Sequence, residues 1–143
     1  MNELLELAAP IAPSDVWRAL TSPQMTARFL YGMAATSSWR PGASLRLAGP
    51  DGALLVGEVL AAAEPHRLSY SLQAGDGQPA TYVTWEIWAA AGGSLVRLSV
   101  DEADDVTSQG PDPEATAAWA EVLDRLAAVL APASAQRSGP ASR

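Results

Sequence analysis

The chain has 143 residues, of which 48% are hydrophobic and 17% are charged, so it suits one globular domain and leaves no room for a second. Its formal charge is −7, from sixteen acidic and nine basic side chains, and this acidic balance disfavours nucleic acid and anionic membranes as partners. The chain has no cysteine, which excludes disulfides, thiolate metal sites and a thiol nucleophile.

The basic residues and the N-terminal segment show no pattern of a targeting signal or of a membrane-spanning segment. All nine basic residues are arginines, and they are scattered along the chain instead of forming a basic stripe. No basic start precedes the first apolar residues, and no apolar run approaches the length that spans a membrane. The sequence therefore predicts a cytoplasmic protein without membrane insertion.

The chain begins with a pattern for one strand and two short helices. In residues 4–11 apolar side chains occupy alternate positions, as in a strand with one buried face. Pro13 fits the first position of a helix, and Ser14 and Asp15 bring polar groups to its free amides. Pro23 marks the start of a second helix. The apolar face of the first helix consists of Val16, Trp17 and Leu20.

The next seventy residues read as strands joined by turns. Glycine at Tyr31-Gly32 permits the chain to leave the second helix. Turn sequences then follow at residues 49–52 (GPDG), 75–77 (GDG) and 92–93 (GG). The pattern predicts an antiparallel meander. Its strands are residues 33–39, a segment around Leu45 and Leu47, and residues 53–61, 68–72, 81–88 and 95–100.

The last element changes to the 3.6-residue period of a helix. Its polar side chains occupy the other faces, so the helix is expected to lay an apolar stripe against the sheet. The stripe consists of Trp119, Val122, Leu123, Leu126, Val129 and Leu130. Residues 132–143 have nothing to bury and are predicted to be a disordered tail, which leaves a single domain at residues 1–131.

The order and spacing of several segments carry a family resemblance. The segments are residues 11–23 (IAPSDVWRALTSP), 39–42 (WRPG), 51–52 (DG), 57–59 (GEV), 64–68 (EPHRL) and 119–126 (WAEVLDRL). Over residues 3–131 the chain resembles the START-like (SRPBCC) helix-grip superfamily and, within it, the family of heat-shock-protein ATPase activator homologues. The resemblance implies an α+β helix-grip fold, with a curved antiparallel sheet wrapped around a long C-terminal helix and two short helices after the first strand.

The chain departs from that family in two places. The family often has tryptophan where the second helix ends, and this chain has Phe29. The family often has a histidine near the position of Asp101 and Glu102, so any role of that histidine is lost here. The eukaryotic activators also carry a separate N-terminal chaperone-binding domain, for which these 143 residues have no room.

A curved sheet cannot press flat against a straight helix, so the fold is expected to enclose an apolar pocket of roughly 300–1,000 Å³. Strand parity places Trp85 on the interior side and Trp88 on the opposite side. An apolar wall implies an apolar or aromatic ligand. The predicted wall residues, chosen by strand parity and helical stripe, are Phe29, Met33, Tyr70, Trp85, Trp119 and Leu123.

The sequence offers no catalytic constellation, and we predict no catalytic residue, no cofactor and no metal site. His66 is the only histidine and lies in a predicted surface turn. Glu58 and Glu86 are interpreted as carboxylates on the wet face of the sheet. The acidic residues between positions 101 and 105 lack the spacing of a calcium loop and are interpreted as a solvated loop.

The leading hypothesis is therefore non-enzymatic binding of a small hydrophobic or aromatic molecule between the sheet and the C-terminal helix. The family name implies an alternative, a protein that stimulates a chaperone ATPase. Similar folds imply a third, a cyclase or aromatase type of enzyme, which Glu58 or Glu86 opening into the pocket would favour. A homodimer and a chaperone both stay open as protein partners.

Overall fold

The computed structural model describes residues 2–50, 52, 54–74, 80–102 and 113–130. The predicted tail at residues 132–143, the turn at residues 75–77 and the acidic residues Asp104 and Asp105 lie outside these ranges. The elements are β1 (Asn2–Ala9), α1 (Pro13–Thr21), α2 (Pro23–Phe29), β2 (Ala34–Thr36), β3 (Ser44–Ala48), β4 (Leu54–Ala63), β5 (Arg67–Leu72), β6 (Thr81–Ala90), β7 (Gly93–Glu102) and α3 (Pro113–Leu130).

Within the described ranges the strands form one seven-stranded antiparallel sheet, in the order β1-β7-β6-β5-β4-β3-β2. Strands β2 to β7 follow one another as neighbours, which confirms the predicted meander. Strand β1 pairs with β7, so the first strand of the chain lies at one edge of the sheet. The sheet is curled, and α3 packs against its inner face together with α1 and α2. This arrangement is the predicted helix-grip fold.

The two short helices begin where proline predicts. Pro13 and Pro23 occupy the first turn of α1 and α2, and neither helix has a side-chain hydrogen bond at its N-cap. Asp15 lies in the first turn of α1, as expected. It also forms an exposed ion pair with Arg18, at 3.9 Å. The predicted apolar face of α1 is confirmed, because Val16, Trp17 and Leu20 are all buried.

Strands β1 and β2 end earlier than the sequence predicts, and backbone geometry explains both ends. Strand β1 ends at Ala9 instead of residue 11, because Pro10 has no N–H group for the ladder. Strand β2 covers only Ala34–Thr36 of the predicted residues 33–39. Farther along, Trp39 has a φ of 58°, which is left-handed backbone and cannot extend a strand.

A local irregularity in β4 contributes to the curvature of the sheet. The register between β4 and β5 shifts between Val59 and Ala61. Such a bulge bends a strand and increases its twist. Nearby, β5 passes so close to Gly57 that a Cβ there would overlap the carbonyl oxygen of Ser71. Glycine is therefore required at residue 57 for the two strands to approach at this point.

Candidate functional site

The inner faces of the central strands supply the interior of the fold. In β6, Val83, Trp85 and Ile87 are each 0% exposed, whereas Trp88 is 39% exposed. This confirms the prediction that Trp85 faces inward and Trp88 outward. Strand β5 alternates in the same way, with Leu68, Tyr70 and Leu72 buried.

An aromatic cluster fills the interior beneath α2 and consists of Phe29, Trp39, Tyr70 and Trp85. The indole Nε1 of Trp85 donates a hydrogen bond to the hydroxyl of Tyr70, at 3.0 Å. The ring of Phe29 meets Trp85 edge-on, with 6.3 Å between centroids, and Trp39 meets Tyr70 at 6.4 Å. Two polar groups thus satisfy each other inside the core, and the rings pack in the edge-to-face geometry that aromatic pairs prefer.

Burial in this cluster holds Tyr70 in its neutral form. Desolvation raises the pKa of the Tyr70 hydroxyl to about 12, although the hydrogen bond from Trp85 acts in the opposite direction. The phenol therefore keeps its proton at neutral pH. It contributes packing and a hydrogen bond, and it does not supply a charge.

Beside the aromatic cluster, the interior is open. An apolar cleft of about 180 Å³ lies between the turn that follows α2, the inner face of β3, β4 and β5, and the side of α3 that carries Trp119 and Val122. Nearly all of the lining is hydrocarbon, and its polar atoms belong to a tyrosine, a tryptophan and the backbone. The lining residues are Leu30, Tyr31, Met33, Leu47, Leu55, Leu72, Trp119 and Val122.

A charged cluster adjoins the cleft at Tyr31, and we call it the rim cluster: Tyr31, Glu121 and Arg125. The guanidinium carbon of Arg125 lies 4.8 Å from the centroid of the Tyr31 ring. Arg125 also donates a hydrogen bond to Glu121, one turn earlier on α3. The pKa of Tyr31 is raised by partial burial and by the carboxylate of Glu121, which accepts a hydrogen bond from the Tyr31 hydroxyl, and Arg125 offsets part of this shift. The rim cluster therefore ties the turn after α2 to the polar side of α3.

Two other depressions are larger but open to solvent. One, of about 560 Å³, lies over β2, β3 and β4 and is lined by Ser37, Ser38 and Arg46 among others. The other, of about 380 Å³, lies between α1 and the end of α3, with the exposed pair Asp15 and Arg18 on its wall. An apolar ligand gains most where it leaves water, so the smaller and more enclosed cleft is the better candidate site.

The structure divides the predicted wall residues between two places. Met33 and Trp119 line the cleft. Phe29, Tyr70 and Trp85 lie together in the aromatic cluster and do not line it. Leu123 is buried on the apolar stripe of α3 beside the cleft residue Val122 and is not itself a lining residue.

Sequence reasoning did not select most of the cleft lining. Leu47 and Leu72 have the parity of buried strand residues, and Val122 belongs to the apolar stripe of α3. The sequence pattern therefore predicted that they are buried, but it did not indicate that they line a cleft. Tyr31 was interpreted only as part of a turn. Its φ of 54° places it in left-handed backbone, next to Gly32 at 82°. Nothing in the local sequence signals that this turn brings an aromatic ring to the cleft.

The other polar candidates lie elsewhere. His66 is exposed, and its Nδ1 lies 3.2 Å from the carbonyl oxygen of Ile87. Glu58 is exposed on β4, and Glu86 lies 3.6 Å from Arg67 on the outer face of β5 and β6. None of the three lines the cleft. Asp101 and Glu102, which were expected to belong to a solvated loop, instead end β7, because they pair with Tyr82 and Thr81 of β6. Asp101 is exposed there.

No group of three or more His, Asp or Glu side chains in the described ranges is placed to hold a metal ion. The helices among these residues also lack the combination of length and hydropathy that crossing a bilayer needs.

Solved structures share this fold. Protein MLL2253 from Mesorhizobium loti aligns over 91% of this chain and 96% of its own, with 21% identity and a TM-score of 0.79. CalU16 from Micromonospora echinospora aligns over 96% of this chain and 81% of its own, with 21% identity and a TM-score of 0.72. DynU16, a protein of the dynemicin biosynthetic locus, aligns over 96% of this chain and 48% of its own, with 21% identity and a TM-score of 0.74. At these identities the likeness shows the fold.

The sequence itself carries the family relation. No curated protein sequence matches the chain significantly. The family model described as activator of Hsp90 ATPase homolog 1-like protein matches residues 10–131, which include every helix and all strands after β1. This confirms the predicted resemblance within the SRPBCC superfamily. The chain belongs to the family of activator of Hsp90 ATPase homolog 1-like proteins.

Proposed function

We propose that the protein binds a small apolar or aromatic molecule in the cleft between the sheet and α3, without catalysing a reaction on it. The observation that carries this proposal is the cleft itself. It lies between the sheet and the C-terminal helix, and its lining is almost entirely aliphatic and aromatic. Burial of apolar surface is the main source of affinity in such sites.

The volume of the cleft limits the size of the ligand. At about 180 Å³ it is smaller than the pocket of roughly 300–1,000 Å³ predicted from the sequence, which is the range of sites for drug-sized ligands. An engineered protein cavity of about 150 Å³ binds benzene. The cleft therefore suits one aromatic ring or a short aliphatic chain. The aromatic cluster occupies the adjoining space that a larger ligand would need.

A titration with ethylbenzene, followed by calorimetry, tests the proposal. We expect saturable binding to the wild-type protein. Met33→Trp places a larger side chain on the cleft wall and should weaken binding about tenfold or more, which corresponds to about 1.4 kcal/mol. Met25→Trp is the matched control, because Met25 is also partly buried on the surface of the core but lies outside the cleft lining. Equal binding by both variants, or no binding by the wild-type protein, would contradict the proposal.

The family description favours one second candidate, stimulation of the ATPase of Hsp90. Its test is a titration of the protein into Hsp90 with ATP hydrolysis as the readout. A rise that saturates with the protein would favour this candidate, and a flat titration would remove it. A cyclase type of enzyme has less support, because Glu58 and Glu86, the carboxylates that could have favoured it, do not line the cleft.

A further inference from the structure

The rim cluster places charged groups at the edge of a cleft whose own lining is apolar. Tyr31 belongs to both, since it lines the cleft and contacts Arg125 through its ring. Tyr31 is 42% exposed, and the side chains of Arg125 and Glu121 are 42% and 50% exposed. The cluster is therefore accessible from solvent at the point where a ligand in the cleft would meet water.

Contacts with the described residues leave hydrogen-bond donors of Arg125 unused. Glu121 accepts hydrogen bonds from both Arg125 and the Tyr31 hydroxyl. In the described part of the chain, Arg125 donates only to Glu121. A guanidinium carries more N–H donors than one such contact uses, and its fork matches the two oxygens of a carboxylate. Arg125 thus has N–H donors to spare, which favours a ligand that brings an acceptor.

A second arginine has similar contacts but lies away from the cleft. Arg97 on the outer face of the sheet has nearly the same surroundings, with its guanidinium carbon 4.9 Å from the Trp88 ring and an ion pair to Glu6 at 2.9 Å. Neither Arg97 nor Trp88 lines the cleft. The two arginines therefore form a matched pair, and of the two only Arg125 contacts a residue that lines the cleft, Tyr31.

We infer that the cleft takes an amphipathic carboxylate, with its apolar end in the cleft and its carboxylate bound at the rim by Arg125 and the Tyr31 hydroxyl in place of Glu121. This inference rests on the proposed function, because it assigns the polar end of the same ligand. The apolar end supplies most of the affinity, and the rim cluster supplies the preference among head groups.

Three probes with one apolar body test the inference: 3-phenylpropionate, 3-phenylpropan-1-ol and 3-phenylpropylamine. In calorimetric titrations of the wild-type protein we expect the carboxylate to bind about fivefold more tightly than the alcohol, and the amine to bind most weakly. Arg125→Gln should abolish the preference for the carboxylate while leaving the alcohol unchanged. Arg97→Gln removes the same charge far from the cleft and should keep the preference. Glu121→Gln removes the competing carboxylate and should strengthen binding of 3-phenylpropionate.

Binding of the alcohol distinguishes failure of the inference from failure of the proposed function. It also reports whether each variant is folded. If the alcohol binds and the carboxylate has no advantage, the inference is overturned and the proposed function stands. If Arg97→Gln loses the preference as Arg125→Gln does, the preference reflects net charge and the inference is again overturned. If none of the three probes binds the wild-type protein, the proposed function and the inference fall together.

Discussion

The aromatic cluster and the apolar cleft lie side by side under the same sheet, and they differ in how well the interior is filled. In the cluster, Trp85 and Tyr70 join by a hydrogen bond and Phe29 packs edge-on against the indole. In the cleft, residues of similar hydrophobicity leave about 180 Å³ unoccupied. Apolar character alone therefore does not make a binding site. A site forms where side chains from different elements fail to meet.

The largest expected effect comes from emptying the filled region. Trp85→Ala should lower the free energy of unfolding by about 3–5 kcal/mol, because it leaves a cavity and removes the hydrogen bond to Tyr70. Trp88→Ala on the outer face is the control and should cost much less, since Trp88 is 39% exposed. Urea unfolding measures both. Similar losses in the two variants would show that the aromatic cluster is less well packed than its contacts indicate.

A smaller effect should appear at alkaline pH, through Tyr70. Its pKa is about 12 in the folded protein and about 10 when unfolded, so the unfolded chain loses this proton first as the pH rises. Tyr70 therefore makes its full contribution to the free energy of unfolding below about pH 10. Between about pH 10 and pH 12 that free energy falls by roughly 3 kcal/mol. Unfolding by urea at a series of pH values measures it. Tyr70→Phe should remove this part of the alkaline loss, and an unchanged pH profile in that variant would contradict the assignment.

The same enlargement can be made in the filled interior and on the cleft wall. Leu68→Phe adds volume to a position that is 0% exposed and should cost about 1–3 kcal/mol through overpacking. Leu55→Phe adds the same volume at the partly buried cleft wall, and we expect a change in unfolding free energy of less than about 1 kcal/mol. The cleft variant should also lose ethylbenzene binding. Equal destabilisation of the two variants would mean that the cleft has no usable space.

The smallest effect should come from the rim. Tyr31→Phe removes the hydrogen bond to Glu121 but keeps the ring beside Arg125, so it should lower the free energy of unfolding by less than about 1 kcal/mol. Tyr82→Phe is the control, because Tyr82 is 39% exposed on the outer face of β6. Thermal unfolding of both variants measures the difference. A large loss in Tyr31→Phe would assign the rim cluster a structural role.

Sequence patterns predicted the elements of this fold because each pattern reports a local property of the chain. Proline at residues 13 and 23 located the starts of α1 and α2. Alternation placed Trp85 inside and Trp88 outside, since successive side chains of a strand face opposite ways. The same reasoning placed strand ends less well, as β2 shows, because strand length depends on pairing with a neighbour and on backbone dihedrals such as that of Trp39.

By itself, the sequence determined the order of the elements, the side of each strand and helix that turns inward, and the family. Tertiary structure decided the rest. It showed that residue 57 must be glycine because β5 passes close to it. It also showed that Trp85 and Tyr70 pack together through a hydrogen bond, and that the turn at Tyr31 contacts Arg125 of α3. Periodicity along one segment fixes the direction of a side chain. The space left between side chains depends on volumes that several distant segments bring together.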